Sequence, residues 1–460
     1  MITSLSYHII NPGLDKIRDF QAVHLFFPLG FQPLLRNQVF GPKPFSHLNL
    51  FGRKNIMTPM MEAKMKVCRQ LAMIFLLLFM SLSLIPAPLR SQTEEVRLTV
   101  FYPSIGTLRN LQALREKGYL NIPGLKVTGV YHVREMTNYE EARKYAREND
   151  LDWFSFKAFS AEIGPENIFK ANGLTPELTE IIRNSDGIIF FGGPDIPPAV
   201  WGDRTSLLSV IEDPYRHYFE LSAIFHLLGG YQDPAFKPLL AENPELPVLG
   251  ICLGAQSLNV GTGGTLIQDI WSEVYGKNYV EDIIALGPDR WHNNPFIKLR
   301  PDLRLSGYNF HWIRLLPDGF FVKKLGFSPD DRPRILSSHH QAIKKLGQGF
   351  KVVATSPDGK IVEAIHHTRF PNVLGIQFHP EHYRLWDQNL QVKFQPDGAP
   401  TSYWEILNSN PPSLEFHRKL WAWFGEAMKQ NKAKAAPRAS TRAWSTIMSG
   451  AVFFLITGWR

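Results

Sequence analysis

Three observations predict an α/β fold with a mostly parallel sheet flanked by helices. Short apolar runs, strand-like in length, recur along the chain. Between the early runs lie stretches with helical patterning, several closed by glycine or asparagine. The 460-residue length and the apolar and charged fractions are those of a globular chain with a sizeable core. Strands that alternate with helices must be joined by crossovers, and crossovers produce parallel sheets covered on both faces.

The elements read as follows. Residues 96–101 (VRLTVF) form a first strand and 109–118 a helix that stops at Gly118. Residues 125–133 form a second strand. Residues 139–149 form a helix with Glu140, Glu141, Arg143 and Lys144 outward. A helix over 176–184 leads into a buried strand at 187–191, and a further helix covers 218–228. The run 248–251 is a strand that enters a glycine-bearing turn at Cys252 and a helix from about Leu253. The runs 350–354, 361–365 and 373–378 add strands. No repeats are evident.

The ends differ in character from this body. The formal net charge is +8. The excess lies in residues 1–93 and 430–460, so 94–429 is mildly acidic, which argues against a nucleic-acid surface on the body. Residues 71–85 (LAMIFLLLFMSLSLI) are uncharged, follow Lys64, Lys66 and Arg69, and precede Pro86 and Pro88. That is the layout of a signal peptide, and the run is shorter than the roughly 20 residues of a membrane span. The expected organisation is a non-native or disordered extension over 1–59, with translation starting near Met60 or Met61. A signal peptide or retained membrane anchor follows over 60–93, then the main folded domain over 94–430. A basic linker and short apolar tail complete the chain over 431–460. Export, or anchoring with the domain outward, follows if 71–85 is a signal; a cytoplasmic protein follows if it is not.

Two cysteines occur, Cys68 beside the targeting run and Cys252 in the body. A lone cysteine in the mature protein makes no internal disulfide, so Cys252 is either a small buried hydrophobe or a nucleophile. Gly250-Ile-Cys-Leu-Gly254 has the spacing of a nucleophile elbow, where bulky neighbours would clash in a tight strand-to-helix turn. The helix that follows aims its N-terminus at the thiol and favours the thiolate, and the Leu253 N–H is placed to donate to an oxyanion. A second apolar run ends in Gly375-Ile-Gln-Phe-His-Pro-Glu-His382. Pro380 keeps His379 extended, and residues two apart on an extended chain face the same way, so Glu381 can orient the His379 imidazole. A third run ends in Phe191-Gly-Gly-Pro194, where a glycine turn lets backbone N–H groups approach a substrate oxygen.

Four stretches in order, GGPDIPPAVWG (192–202), GICLGAQSLNVGTGGTLIQDI (250–270), SSHHQAI (337–343) and GIQFHPEH (375–382), resemble the class I glutamine amidotransferase superfamily. Within it they look most like the free-standing γ-glutamyl hydrolase branch, the peptidase C26 or γ-glutamyl-γ-aminobutyrate hydrolase-like proteins. The resemblance spans about 96–428 and implies a flavodoxin-like three-layer sandwich. It implies a triad of Cys252, His379 and Glu381, and an oxyanion hole from the N–H of Leu253 and of the Gly192–Gly193 pair, Gly193 above all. It also implies that Gln256, Ser337, His339, His340 and Gln341 shape the substrate pocket, although polar loop packing is an equal reading for the two histidines. The sequence departs from the pattern where Leu336 and Ser338 replace an Asn and an aromatic, and in a long aromatic segment over 270–336.

The expected protein is thus a cysteine hydrolase of γ-glutamyl amide bonds, working through a γ-glutamyl thioester with no metal and no organic cofactor. Its partner is a small γ-glutamyl molecule, and 71–85 is its route to any membrane. Two other readings are a glutaminase subunit feeding ammonia to a separate synthetase and a catalytically silent membrane-associated binding protein. The oligomeric state is not legible.

Overall fold

The computed structural model describes residues 95–457, with side chains through 434, and a few positions between 64 and 73. The chain divides into two units, 1–88 and 89–460. In the first, the described positions (64, 66–68, 70, 71 and 73) are helical and exposed, Cys68 among them. The expectations for 1–59 and for 71–85, apart from Leu71 and Met73, fall outside the described residues. No helix among the described residues is long and apolar enough to cross a membrane.

The second unit begins with strand β1 (Val96–Phe101), helix α1 (Ile105–Glu116), β2 (Leu125–His132) and α2 (Tyr139–Glu148). Next come β3 (Phe154–Phe159), α3 (Thr175–Arg183), β4 (Gly187–Phe190) and α4 (Pro214–Leu228). After these follow β5 (Val248–Ile251), α5 (Leu253–Gly261) and β6 (Leu266–Ile267). Short helical turns lead to β7 (Asn309–Trp312), β8 (Arg314–Leu315), β9 (Arg334–Ser337) and β10 (Ala342–Ile343). The last strands are β11 (Phe350–Thr355), β12 (Val362–His367) and β13 (Val373–Ile376); α6 (Tyr403–Asn408) and α7 (Pro411–Thr457) close the chain.

Nine strands form the main sheet in the order β3-β2-β1-β4-β5-β13-β12-β11-β8. The first six are parallel, and β12, β11 and β8 continue the sheet antiparallel. The fold is the α/β, mostly parallel class the sequence predicts. Central strands β4, β5 and β13 are buried at every position, so they read as continuous apolar runs. One core cluster packs Leu108, Leu111 and Trp421 on one side of the sheet; a second packs Phe219, Ile224 and Leu258. Residues of α4 are buried almost all round, and the helix starts with Asp213 capping the Arg216 N–H and Pro214 in its first turn.

Two expectations change. The stretch 431–457, expected as a linker and short apolar tail, is helical and continues α7; its first part, Lys432–Ala436, is made of the strong helix formers Ala and Lys. Strand β3 (FSFKAF) was not expected; it is the sheet's edge, where Ser155 and Lys157 reach the surface side and break up the apolar run.

Candidate active site

The chain order reverses direction across the sheet at β1, and ligand sites in open α/β sheets lie beyond the carboxyl ends of strands at such a point. Strands β4, β5 and β13 are consecutive neighbours in register, with Phe190 opposite Gly250 and Ile376 opposite Ile251. The residues just past those ends are Gly192, Cys252 and His379. Adjacent strands lie about 4.8 Å apart, so the sheet alone places the glycine turn and the histidine on either side of the thiol.

Cys252 sits at φ 53°, ψ −107°, a left-handed backbone for a non-glycine residue. Its N–H donates to the Ile376 carbonyl at 2.8 Å, which ties the elbow to β13. The flanking glycines are steric necessities. A Cβ on Gly250 would lie 2.5 Å from the Gly254 oxygen, and one on Gly254 would lie 2.1 Å from the Phe190 oxygen. Leu253 is the first residue of α5, so its N–H has no carbonyl within the helix to bond.

His379 Nδ1 lies 2.8 Å from Glu381 Oε1, and both side chains are buried. Burial opposes a charge on His379, but the Glu381 carboxylate and Cys252 outweigh it and raise the imidazole pKa well above its ordinary value. The Tyr308 ring meets His379 edge-on at 5.5 Å, and burial first, with nearby Glu381, pushes its phenol up to about 12. Gln377 Nε2 lies 3.7 Å from the Cys252 sulfur.

Cys252, His379, Glu381, Gly192 and Gly193 share a cavity of about 320 Å³ with Tyr102, Thr107, Asn110, Tyr308 and Ser338. That is at the small end of ordinary ligand cavities. A larger groove of about 610 Å³ along the start of α7 is lined by Phe327, Leu414, Arg418 and similar residues, with no cysteine, serine or histidine. Chemistry, not size, selects the smaller one.

Arg216 braces the first wall of this cavity. It is fully buried, pairs with Glu220 at 2.9 Å, stacks on Tyr102 at 3.5 Å, and donates from Nη2 to the Phe191 and Gly192 carbonyls at 3.1 and 2.9 Å. In a planar trans peptide the next N–H points opposite to the carbonyl. Arg216 thus turns the N–H groups of Gly192 and Gly193 away from itself. A Cβ on Gly193 would lie 1.8 Å from Arg216 Nη1, so only glycine fits there.

The second wall is the 337–341 loop, which holds four of the five expected substrate contacts. Gln256, Ser337, His339, His340 and Gln341 do not line the cavity; Ser338 does, with its carbonyl 4.0 Å from the thiol. Successive residues of an extended loop face opposite ways, so Ser337, His339 and Gln341 point into the interior. Ser337 Oγ donates to the His292 carbonyl, His339 Nδ1 bonds the Gln341 carbonyl, and Gln256 Nε2 reaches Gln341 and Gln377. His340 Nε2 meets Asp195 at 3.0 Å and its Nδ1 meets Asp269 at 3.4 Å. Burial opposes its charge, yet the hydrogen bonds and charges of the two aspartates push His340 up to about 9.

Sequence reading missed Arg216 and Tyr102; Ser338 lies within the 337–341 stretch it singled out, and Tyr308 within the aromatic segment 270–336. A signal for the first was present: Arg216 and Glu220 stand at i, i+4 as the only Arg/Lys and Asp/Glu residues of the helix 214–228.

Fold and site define an α/β protein with a cysteine elbow facing a histidine–carboxylate pair at the carboxyl edge of the sheet. The family model described as Peptidase C26 matches residues 168–381. A Schizosaccharomyces pombe protein named a "putative glutamine amidotransferase" is 30% identical over 227 residues, 47% of this chain and 72% of that one. A glutamine amidotransferase-like protein of Lactococcus lactis is 29% identical over 52% of this chain and 80% of its own length. The γ-glutamyl-γ-aminobutyrate hydrolase of Escherichia coli O157:H7 is 26% identical over 44% of this chain and 67% of its own. The chain belongs to the peptidase C26 family of class I glutamine amidotransferase-like proteins.

Proposed function

We propose that the protein hydrolyses a γ-glutamyl amide bond through a thioester on Cys252. The observation that carries this reading is the thiol on a left-handed elbow, sharing one cavity with a hydrogen-bonded His379–Glu381 pair. The Cys252 thiolate attacks the γ-carbonyl carbon, and the carbonyl oxygen gathers negative charge facing the N–H groups of Leu253 and Gly193. The C–N bond breaks as the His379 imidazolium gives its proton to the departing amine. The same imidazole, now neutral, takes a proton from water; the hydroxide attacks the thioester, and glutamate leaves with the thiol regenerated. Glu381 holds the ring and stabilises its cationic form. The same steps release ammonia from glutamine, so the leaving amine is what a substrate survey decides.

A panel of γ-glutamyl amines and peptides, run with wild type beside Cys252→Ala, tests the reading. Turnover by wild type and loss of at least about 10³-fold in the variant are expected. A γ-glutamyl electrophile should label wild type and spare the variant. Equal labelling of both, or equal turnover, would remove Cys252 from the role of nucleophile.

A further inference from the structure

The second cavity wall rests on a cluster for which the thiol mechanism has no use. His292, His311, His339 and Glu363 each offer one ligating atom, and these four atoms all lie within 4.8 Å of one another. His292, His311 and Glu363 have no exposed surface, and His339 is 5% exposed. His292 Nδ1 is 3.3 Å and His311 Nε2 is 3.7 Å from one Glu363 oxygen, and His339 Nε2 is 4.0 Å from the other. Among the described residues, none of these atoms has a hydrogen-bond partner, and neither does the second nitrogen of His292.

Such a set is costly as it stands. A buried carboxylate without hydrogen bonds or a cation loses its hydration for no return. The four residues come from four separate segments: the turn at 292, β7, the loop after β9, and β12. They converge with their lone-pair atoms inward. Two of the three outer nitrogens are already engaged: His311 Nδ1 lies 2.9 Å from the Trp312 carbonyl and His339 Nδ1 lies 2.8 Å from the Gln341 carbonyl. A ring N–H donated to a carbonyl leaves the opposite nitrogen as a bare lone pair, the arrangement that orients metal-binding histidines.

We propose that His311 Nε2, His339 Nε2, His292 Nδ1 and the Glu363 carboxylate bind a divalent transition-metal ion, zinc by donor set and coordination number. Bonds of about 2.0–2.1 Å in a tetrahedron put ligand atoms roughly 3.3 Å apart, so a cluster whose atoms lie within 4.8 Å of one another contracts by up to about 1.5 Å at its widest. Four protein ligands and full burial describe a closed site, which holds structure and leaves no position for a reacting water. Its mechanical effect falls on the loop. The His339 N–H and Ser337 Oγ both bond the His292 carbonyl, at 2.9 and 2.6 Å, and Ser338 between them faces the thiol. His292 itself is held at φ 39°, a strained backbone that a metal bond would help fix.

The test is metal analysis by mass spectrometry of the full chain, purified without a histidine tag from cells grown with added zinc. About one zinc per chain is expected in wild type and in Cys252→Ala, with loss of most of it in His311→Gln and in Glu363→Gln. Should those two variants fold poorly, wild type itself gives the answer. Stripping with a chelator should lower Tm, and zinc, but not magnesium, should restore it by about 5 °C or more. Cobalt in the stripped protein should give the visible bands of a four-coordinate nitrogen–oxygen site, without the thiolate band that Cys252 would add. Metal-free wild type with no thermal response to zinc would overturn the proposal. So would zinc that survives in both variants, or zinc lost from Cys252→Ala. Failure of the hydrolase reading leaves all these readouts unchanged, because none of them measures turnover.

Discussion

The two walls of the cavity are braced by different means. Behind the Gly192–Gly193 turn stands Arg216, a cation from the chain itself, with two carbonyls and one Glu220 oxygen as its partners. Behind Ser338 stands a carboxylate with three imidazoles and no side-chain cation among them. The first wall carries its own counter-charge on one helix, and its brace forms as the helix forms. The second assembles from four segments spread over residues 292–363, and it is complete only with a borrowed ion. Loops that must hold peptide groups near a reacting carbonyl to a fraction of an ångström need support from below. With the proposed ion bound, one cavity combines an internal brace on one wall with a borrowed one on the other.

The largest effect that separates the reacting pair from both braces comes from Glu381→Gln. The amide keeps the shape but removes the charge that outweighs burial at His379. The imidazole pKa therefore falls, and the imidazolium needed to protonate the leaving amine is lost at lower pH. The basic limb of kcat/KM should move acidward, with kcat down by about 10²–10⁴-fold from the wrong ring tautomer. Zinc content should stay at the wild-type level. An unmoved basic limb would show that Glu381 does not set the His379 charge.

What the sequence disclosed follows the same division. Elements whose signal is local were legible: β4, β5 and β13 as apolar runs, the elbow from two glycines that a Cβ would break, and His379 with Glu381 from two-residue alternation. The loop 337–341 is legible as important, but which of its faces meets the cavity is not. Alternation sends Ser337, His339 and Gln341 inward and Ser338 to the cavity, and only the fold says which side is which. The His292–His311–His339–Glu363 set had no local signal, since its spacings follow no helical or strand period. Arg216 lay between these cases, visible as an i, i+4 pair whose purpose only the Gly192 carbonyl explains.

Breaking the first brace is the next test. Arg216→Lys keeps the charge beside Glu220 but loses the planar fork that reaches two carbonyls. The Gly193 peptide then loses its imposed direction. Because this acts on oxyanion geometry, kcat should fall about 10²-fold while KM changes far less. A general loss of structure would raise KM and lower Tm together, so steady-state kinetics beside a thermal scan distinguishes the two. Arg216→Met should be worse in stability, because Glu220 would be left buried and unpaired, at a cost of roughly 3–5 kcal/mol.

The smallest effect concerns the residue that joins the walls. His340 follows the metal-binding His339 and reaches across to Asp195 in the turn held by Arg216, with Asp269 as its second partner. Its pKa, near 6.5 when unfolded, is pushed up to about 9 by those aspartates against the opposition of burial. A raised folded pKa means that the stabilisation is fully present below about pH 6.5 and is lost as pH rises through about 9. The shift corresponds to about 3 kcal/mol, with the side chain 23% exposed. Urea unfolding should therefore show His340→Gln less stable than wild type by about that amount at pH 6. The gap should narrow steadily toward pH 10. Activity should fall only a few-fold, since each wall keeps its own brace. A gap that stays constant with pH would mean that His340 supports the walls by packing alone, and that the charge between them contributes nothing.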